Sequence, residues 1–206
     1  MRAEIILVHG LWNRGWNMAL MAARLRARGH GVRVFSYPTR QRDLAGHAEA
    51  LHEFITRQSA SELHLAGHSM GGLVILNLLN RHESLPPGRV VLMGTPVRGS
   101  GVVRRLAKGP GRALLFGRAA DGLLAGCRQA PRRRETGMIR GTRSLGLGCV
   151  TGRFEEPNDG SVAVSETELD GLSDRIDLNV THTQMLVSRA VADQLEHFVL
   201  NGCFKH

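Results

Sequence analysis

Alternation of strand-like and helix-like segments in the first 95 residues is the feature that most restricts the fold of this chain. Short apolar segments typical of buried strands recur at residues 5–8, 32–35, 63–66 and 89–93. Segments with apolar residues at helical spacing lie between them, at residues 16–28, 44–55 and 71–80. Strands and helices that alternate in this way form a parallel sheet with helices on both faces. The sequence therefore predicts an α/β fold.

The second half of the chain is less regular. From residue 97 to 134 the sequence is dominated by Gly, Arg and Leu, which indicates an insertion or a lid. Strand patterns return at residues 136–141 and 175–180, and residues 184–200 read as a closing helix. The 206 residues suit one domain. We therefore predict a single domain over residues 1–206, with about six mostly parallel strands and a possible lid at 97–134.

Composition excludes several classes of protein. No run of 18 apolar residues is present, so the sequence predicts no membrane-spanning helix, and the apolar run at residues 5–8 is too short for a signal peptide. We therefore expect a cytoplasmic protein. Cys127, Cys149 and Cys203 match no metal-binding spacing, and their odd number favours free thiols. Neither a metal nor a cofactor is predicted.

Positive charge is concentrated in one part of the chain. The formal net charge is +9, and the stretch from Arg98 to Arg143 holds twelve Lys or Arg but only two acidic residues. Such a basic segment could attract an anionic membrane surface, or it could simply be a solvated surface. Nucleic acid is a weaker candidate because Phe116 is the segment's only aromatic side chain for stacking. The oligomeric state is not readable from these patterns.

The most informative motif is Gly67-His68-Ser69-Met70-Gly71, which fits the G-x-S-x-G pattern of a nucleophile elbow. The pattern alone is loose, but here an apolar strand precedes it and an apolar helix follows it. Such a turn holds the serine in a strained conformation above the sheet, at the positive end of a helix. Ser69 is therefore the predicted nucleophile.

A serine nucleophile needs a base, and the base needs a group that orients it. His182 follows the last strand pattern in a loop, whereas His197 lies within a helix pattern and His206 ends the chain. Asp159, in the turn Asn-Asp-Gly, is the preferred acid. The alternatives are Asp170, Asp174 and Asp177.

An oxyanion intermediate needs preorganised N–H donors. The expected donors are the backbone N–H groups of Met70, directly after the nucleophile, and of Leu11, after the first strand. His9 is interpreted as a structural residue of this loop. Trp12 and Trp16 flank the loop and are candidates for the acyl pocket, although a spacing of four equally suits two core residues.

Together these segments resemble small bacterial lipases and esterases of the α/β-hydrolase superfamily. The similar segments are VHGLW, GHSMGG, GTPVRGS, NDGSV and THTQML. The resemblance implies the triad Ser69, Asp159 and His182, with Leu11 and Met70 at the oxyanion hole. Two leading antiparallel strands of the full fold are missing from the pattern. Thr183 and Gln184 stand where larger lipases carry a calcium-binding aspartate, so no structural calcium is expected.

These features predict a serine hydrolase that cleaves carboxylic esters, an esterase or lipase acting on a small-molecule or lipid ester. Acyl transfer or thioester cleavage with the same triad is an alternative. A third hypothesis is a membrane-surface binding protein on a hydrolase scaffold, suggested by the basic segment and its leucines.

Overall fold

The computed structural model describes residues 2–109, 111–131, 133–146 and 154–206. In this part of the chain, six strands form one parallel sheet in the order β2-β1-β3-β4-β5-β6. The predicted parallel α/β architecture with six strands is confirmed. The strands are β1 (Glu4–Val8), β2 (Gly31–Phe35), β3 (His64–His68), β4 (Val90–Met93), β5 (Thr136–Gly141) and β6 (Asp174–Leu178).

Helices cover both faces of the sheet, and two separate apolar clusters lie between them and the strands. On one face, the even-numbered side chains of β1 such as Ile6 pack with α2 and α3. On the other, Ile5 and Leu7 pack with the first and last helices. The α-helices are α1 (Ala19–Ala27), α2 (Leu44–Thr56), α3 (Met70–Arg81), α4 (Gly101–Leu106), α5 (Arg112–Phe116), α6 (Ala120–Ala125) and α7 (Arg189–Asn201).

Two predicted helices are interrupted. Residues 16–28 begin as a 3₁₀ turn, Gly15–Met18, before α1, and residues 184–200 begin as a second 3₁₀ turn, Gln184–Leu186. The break before α7 has a local cause, because the Ser188 hydroxyl accepts a hydrogen bond from the N–H of Val191. A serine in that position caps a new helix, and apolar periodicity alone does not reveal it.

The segment at residues 97–134, here called the cap, connects β4 to β5 and contains the short helices α4, α5 and α6. Its Phe116 and Leu123 are buried in the core cluster that also holds α2 and α3. Polar contacts also hold it down. The Trp12 indole Nε1–H donates to Leu115 O at 2.6 Å, and Arg40 Nη1 donates to Leu114 O at 2.5 Å. The described part of residues 97–134 therefore packs on the rest of the molecule through both apolar and polar contacts.

Two further predictions concern the cysteines and membrane-spanning helices. Cys127 and Cys203 are free thiols, as expected. Cys149, and Pro110 and Arg132 of the cap, lie outside the described residues. Within the described ranges, no helix has both the length and the apolar character needed to cross a membrane.

Candidate active site

All six strands run in the same direction, so their carboxyl ends lie along one edge of the sheet, as in other open α/β sheets with a binding crevice. The loops that leave this edge carry the predicted functional residues. Leu11 follows β1, Ser69 follows β3, and His182 follows β6. The order of the strands therefore brings together residues that are up to 171 positions apart in the sequence.

Ser69 occupies the sharp turn between β3 and α3. Its φ of 55° and ψ of −124° lie in a region that residues with side chains rarely adopt. The turn is held by the Ser69 N–H, which donates to Met93 O at 2.8 Å. Although serine is a common helix cap, the Ser69 side chain makes no capping hydrogen bond to α3. Its hydroxyl therefore remains available at the positive end of this helix.

Glycines on both sides of Ser69 allow the turn to pack tightly. A Cβ on Gly67 would lie 2.5 Å from the Gly72 nitrogen. A Cβ on Gly71 would lie 2.6 Å from the His9 carbonyl oxygen and would overlap that of Val8. The neighbouring atoms belong to the backbone, so they cannot rotate away. The glycines are thus required by the close approach of neighbouring backbone atoms.

Replacement of Gly71 by alanine is expected to destabilise the fold by about 3 kcal/mol, because the new methyl group would push α3 away from β1. Urea unfolding would measure the loss. Gly111→Ala is the matched control, since a Cβ there would meet its nearest neighbour at 3.8 Å. Equal stability of the two variants would show that the elbow is not tightly packed.

Asp159 is buried and is connected to His182 by a hydrogen bond of 2.7 Å between Oδ2 and Nδ1. The other carboxylate oxygen accepts from the N–H groups of Ser161 and Val162, at 2.9 and 2.7 Å. The His182 N–H donates to the Asp159 carbonyl oxygen at 2.8 Å. Three hydrogen bonds to the carboxylate and one between the two backbones thus hold Asp159 against the imidazole, which leaves Nε2 as the free ring nitrogen.

The loop that carries His182 is also closed locally. The N–H of Thr181 donates to the Gln184 side chain at 3.0 Å, and the N–H of Gln184 donates to the Thr181 hydroxyl at 3.2 Å. This reciprocal pair resembles a capping box. It gives Gln184 a structural role in this loop.

The alternative acids and bases lie elsewhere. Asp177 pairs with Arg140, and Asp174 accepts from the N–H of Phe204 and contacts His206. Asp170 is exposed, and its carbonyl oxygen accepts from Ala130. Among the described residues, Asp159 is the acid that contacts His182.

Ser69 and His182 line the same cavity, which has a volume of about 310 Å³. Apolar side chains from the cap, including Val102, Phe116 and Leu123, form much of its wall. The Ser69 hydroxyl makes no hydrogen bond to the residues that the structure describes. Contacts between nucleophile and base are often loose before substrate binds.

Gly10 and Leu11 lie directly against the elbow. A Cβ on Gly10 would be 2.9 Å from the Cβ of Ser69, and Leu11 lines the cavity. Met70 begins α3, where the first N–H groups have no partner within their own helix. Both predicted oxyanion donors therefore belong to backbone segments next to Ser69.

His9 supports this loop from below. It is buried and stacks on Tyr37 with 4.5 Å between ring centroids, while the Tyr37 hydroxyl donates to the His9 carbonyl oxygen at 2.8 Å. The N–H of Tyr37 donates to His9 Nε2 at 3.3 Å. One ring face and both ring nitrogens of His9 thus contact neighbouring residues, in agreement with its interpretation as a structural residue.

The two tryptophans differ. Trp12 lines the cavity, has a φ of 59°, and packs against Phe116 with 5.7 Å between ring centroids. Trp16 is 72% exposed and is not among the described residues that line the cavity. The 3₁₀ turn explains the difference, because it buries Met18 and leaves Trp16 facing solvent. Its placement therefore does not support a part in the acyl pocket.

Two residues beside the site were not singled out by the sequence. Gly94, with a φ of 54°, lies so close to the pair that a Cβ there would be 2.9 Å from Asp159 Oδ2 and 3.1 Å from His182 Nδ1. His68 is buried, and its Nε2–H donates to the His182 carbonyl oxygen at 2.9 Å. Its ring is 4.5 Å from that of His182. Gly94 and His68 belong to the GTPVRGS and GHSMGG segments that the sequence already singled out. Their contacts with Asp159 and His182 depend on tertiary structure and could not be predicted.

Buried histidines make the fold sensitive to acid. Burial lowers the pKa of His9, His47 and His64, and burial together with the charge of His182 lowers the pKa of His68 well below its usual value. Such groups bind protons more readily in the unfolded chain, so stability falls as the pH drops below about 6.5. Burial raises the pKa of Glu166, so protonation of this residue stabilises the fold as the pH falls. This is one group, whereas four histidines act in the opposite direction.

We therefore expect the free energy of unfolding to be lower at pH 5.5 than at pH 7.5, by roughly 1.4 kcal/mol per pH unit for each histidine within its own titration range. Urea unfolding at both pH values measures this. His64→Gln should reduce the difference. A free energy that is unchanged or higher at pH 5.5 would contradict the burial of these groups in neutral form.

One further cluster of metal-type ligands lies outside this edge of the sheet. Glu49 and His52 of α2 and His82 after α3 place one ligand atom each within 4.8 Å of one another. His82 follows the end of α3 that is opposite Ser69, roughly 18 Å along the helix axis. The candidate active site itself is formed by a serine, a histidine and a carboxylate, a set suited to nucleophilic chemistry.

A parallel sheet with a serine in a strained strand-to-helix turn, and an Asp–His pair at the same edge, defines the class of α/β hydrolases. Residues 5–188 match the model of the alpha/beta hydrolase family. The chain belongs to this family. No curated protein sequence matches it.

Solved structures share the fold at low sequence identity. The mature form of the Bacillus licheniformis lipase BlEst2 is 18% identical with a TM-score of 0.69, over 97% of this chain and 91% of that one. The metagenomic carboxyl esterase MGS0156 is 16% identical with a TM-score of 0.75, over 87% and 64%. The NocB thioesterase domain from the nocardicin cluster is 17% identical with a TM-score of 0.63, over 96% and 93%.

Proposed function

We propose that this protein is a serine hydrolase that cleaves carboxylic esters through an acyl-enzyme intermediate. The observation that carries the proposal is the 2.7 Å hydrogen bond between Asp159 and His182 at the cavity that Ser69 also lines. The strained backbone of Ser69 and its position at the start of α3 support the role of nucleophile. The same proposal treats the chain as one hydrolase domain with the cap over its site.

In the first half of the reaction, Ser69 Oγ attacks the ester carbonyl carbon while His182 Nε2 takes the hydroxyl proton. Asp159 holds Nδ1–H and stabilises the imidazolium that forms. The negative oxygen of the tetrahedral intermediate is held by the backbone N–H groups of Leu11 and Met70. His182 then gives its proton to the departing alcohol oxygen, which leaves the acyl group on Ser69.

In the second half, water attacks the acyl-enzyme and His182 again acts as base and then as acid. The carboxylic acid leaves and Ser69 recovers its proton. His68 is a positioning residue in this scheme, because its contact with the His182 carbonyl fixes the backbone of the base. Burial keeps the pKa of His68 low, so it stays neutral when His182 becomes charged.

A fluorophosphonate probe tests the proposal directly. The folded wild-type protein should be labelled on the peptide that contains Ser69, while Ser69→Ala and heat-denatured wild-type protein should not react. Labelling at another residue, or equal labelling of the alanine variant, would contradict the assignment.

Thioester hydrolysis or acyl transfer would use the same residues. The acceptor and the leaving atom distinguish these reactions, so products should be analysed with water, alcohols and thiols in competition. Ester hydrolysis is the main proposal because water is the most abundant acceptor for an acyl-enzyme and gives free acid as the product.

Association with an anionic membrane surface is a second candidate activity, supported by three large apolar side chains that are exposed to solvent. Leu114 of the basic cap is 76% exposed, Leu145 at the cavity wall is 58% exposed, and Trp16 is 72% exposed. Apolar groups beside cationic ones suit the interface of an anionic bilayer.

We expect sedimentation with vesicles that contain phosphatidylglycerol, weaker sedimentation as salt rises, and little with neutral phosphatidylcholine. Leu114→Ser should weaken binding, because it removes the most exposed apolar group, while Ser59→Ala serves as a control at an exposed position between α2 and β3. Binding that ignores both salt and vesicle charge would eliminate this role for the basic segment.

A further inference from the structure

A second cavity, of about 770 Å³, lies next to the one that contains Ser69. Three segments form it: residues 12–14 after β1, residues 36–41 after β2, and part of the cap around residues 113–117. The two cavities share Trp12 and Asn13 as wall residues. A ligand that passes Trp12 would therefore extend from Ser69 in the first cavity into the second cavity.

The charge of the second cavity is positive. Arg14 and Arg40 line it, and its described lining contains no Asp or Glu. In the part of the chain that the structure describes, neither arginine forms an ion pair within 4.0 Å, whereas Arg28, Arg89 and Arg140 do. Two guanidinium groups without carboxylate partners favour an anionic ligand, and arginine binds phosphate particularly well through its planar set of donors.

Polar groups that can donate further hydrogen bonds complete the wall. The Ser36 hydroxyl oxygen accepts from the Gly15 N–H at 3.0 Å, and the Thr39 hydroxyl oxygen accepts from the Trp12 N–H at 3.3 Å. Each hydroxyl keeps its own proton for a ligand. Asn13 and Gln41 add side-chain amides.

The wall is held in place by contacts between the cap and the loops that follow β1 and β2. Arg40 Nη1 donates to Leu114 O, the Arg118 N–H donates to Arg40 O at 3.0 Å, and the Trp12 indole donates to Leu115 O. A guanidinium that is already hydrogen-bonded to the cap loses less freedom on binding than one without such a contact.

The neighbouring cavity has the opposite character. Leu11, Val103, Phe116 and Val162 line it around Ser69, so it suits an apolar acyl chain. The apolar cavity and the cationic cavity meet at Trp12. This arrangement suits an amphiphilic substrate whose scissile bond lies between an apolar chain and an anionic group.

From this arrangement we propose that the substrate is an acyl ester or thioester whose leaving group carries a phosphate, with the acyl chain beside Ser69 and the phosphate between Arg14 and Arg40. The proposal rests on the hydrolase function proposed above. The phosphate takes no part in the reaction. The bond that breaks joins the carbonyl carbon to the alcohol oxygen or thiol sulfur, the leaving atom takes a proton from His182, and water supplies the oxygen of the acid.

Three substrates with the same octanoyl chain test the substrate class: octanoylglycerol, octanoylglycerol phosphate below its micelle concentration, and octanoyl-coenzyme A. Released octanoate is measured for each. We expect kcat/KM for at least one phosphate-bearing substrate to exceed that for octanoylglycerol by tenfold or more, with the excess reduced at high salt. A comparison of octanoylglycerol phosphate with octanoyl-coenzyme A shows whether the phosphate belongs to a lipid headgroup or to a soluble carrier of the acyl group.

Substitutions of the two arginines test whether they cause the preference for phosphate-bearing substrates. In Arg14→Gln and Arg40→Gln, the ratio of kcat/KM between phosphate-bearing and neutral substrates should fall by about tenfold for each lost charged hydrogen bond. Arg57→Gln is the matched control, because Arg57 is an exposed arginine at the far end of α2. An unchanged ratio in the arginine variants, or no preference in the wild type, overturns the proposal while leaving ester hydrolysis intact.

Binding without turnover separates the two proposals. Calorimetry with Ser69→Ala should detect hexyl phosphate with at least tenfold higher affinity than hexanoate or hexanol, and Arg14→Gln in that background should remove the difference. Absence of ester hydrolysis by the wild-type protein, with phosphate binding retained in Ser69→Ala, would contradict the proposed function alone. Equal affinity for the three ligands would contradict the phosphate site alone.

Discussion

Ser69→Ala is expected to lower kcat for a nitrophenyl ester by about 10⁵-fold, with little change in stability. The side chain makes no hydrogen bond to the described residues and does not cap α3, so the alanine variant should fold as the wild type does. A nucleophile and its base act together. Removal of the nucleophile alone therefore abolishes nearly all of the rate enhancement that the pair provides.

The variant should be compared with Ser59→Ala, which changes an exposed serine between α2 and β3. Initial rates with nitrophenyl butyrate and thermal unfolding of both proteins provide the measurement. Turnover by Ser69→Ala within tenfold of the wild-type rate, with the fold intact, would show that another group performs the chemistry.

Asp159→Asn should lower kcat by about 10⁴-fold. An asparagine oxygen can still accept from the N–H groups of Ser161 and Val162, so the turn should remain folded. The amide nitrogen would then face His182 Nδ1 and donate to it. The imidazole would carry its proton on Nε2, where it cannot accept the proton of Ser69.

Asp170→Asn is the matched control, because Asp170 is exposed and was one of the alternative acids in the sequence. Its kcat should stay within twofold of the wild-type value. A large loss in Asp170→Asn together with activity in Asp159→Asn would reverse the assignment of the acid.

Much of the sheet was predictable because its central strands are buried on both faces. Their apolar segments stand out from the polar loops, and Thr136 to Gly141 is a strand with the bounds that its pattern indicated. Asp43 likewise caps α2 next to it in the sequence, since its carboxylate accepts from the N–H of Gly46. Local chemistry of this kind does not depend on distant residues.

The meeting of Asp159 with His182 could also be predicted, because both flank strands whose carboxyl ends share one edge of the sheet. The directions in which the side chains of a short turn point could not be predicted. Trp16 and Trp12 have the spacing of one helix face, but the 3₁₀ turn exposes Trp16 while Trp12 reaches the cavity. The role of Gly94 was hidden for a related reason, because the atoms that require a glycine there belong to Asp159 and His182.

The cap illustrates another limit. Its helices have five or six residues each, too few for a clear periodic pattern. Their positions depend on contacts with distant residues, such as those of Trp12 and Arg40 with the backbone around Leu115. Both cavities are shaped by these contacts, so neither could be inferred from sequence spacing.

The chemical intermediate itself gives the most direct test of the account. Rapid mixing of the wild-type protein with excess nitrophenyl acetate should release about one equivalent of nitrophenol in a burst, and acid-quenched protein should carry an acetyl group on the peptide that contains Ser69. Nitrophenol release without any covalent adduct, or an acetyl group that maps to a residue other than Ser69, would contradict the proposed mechanism.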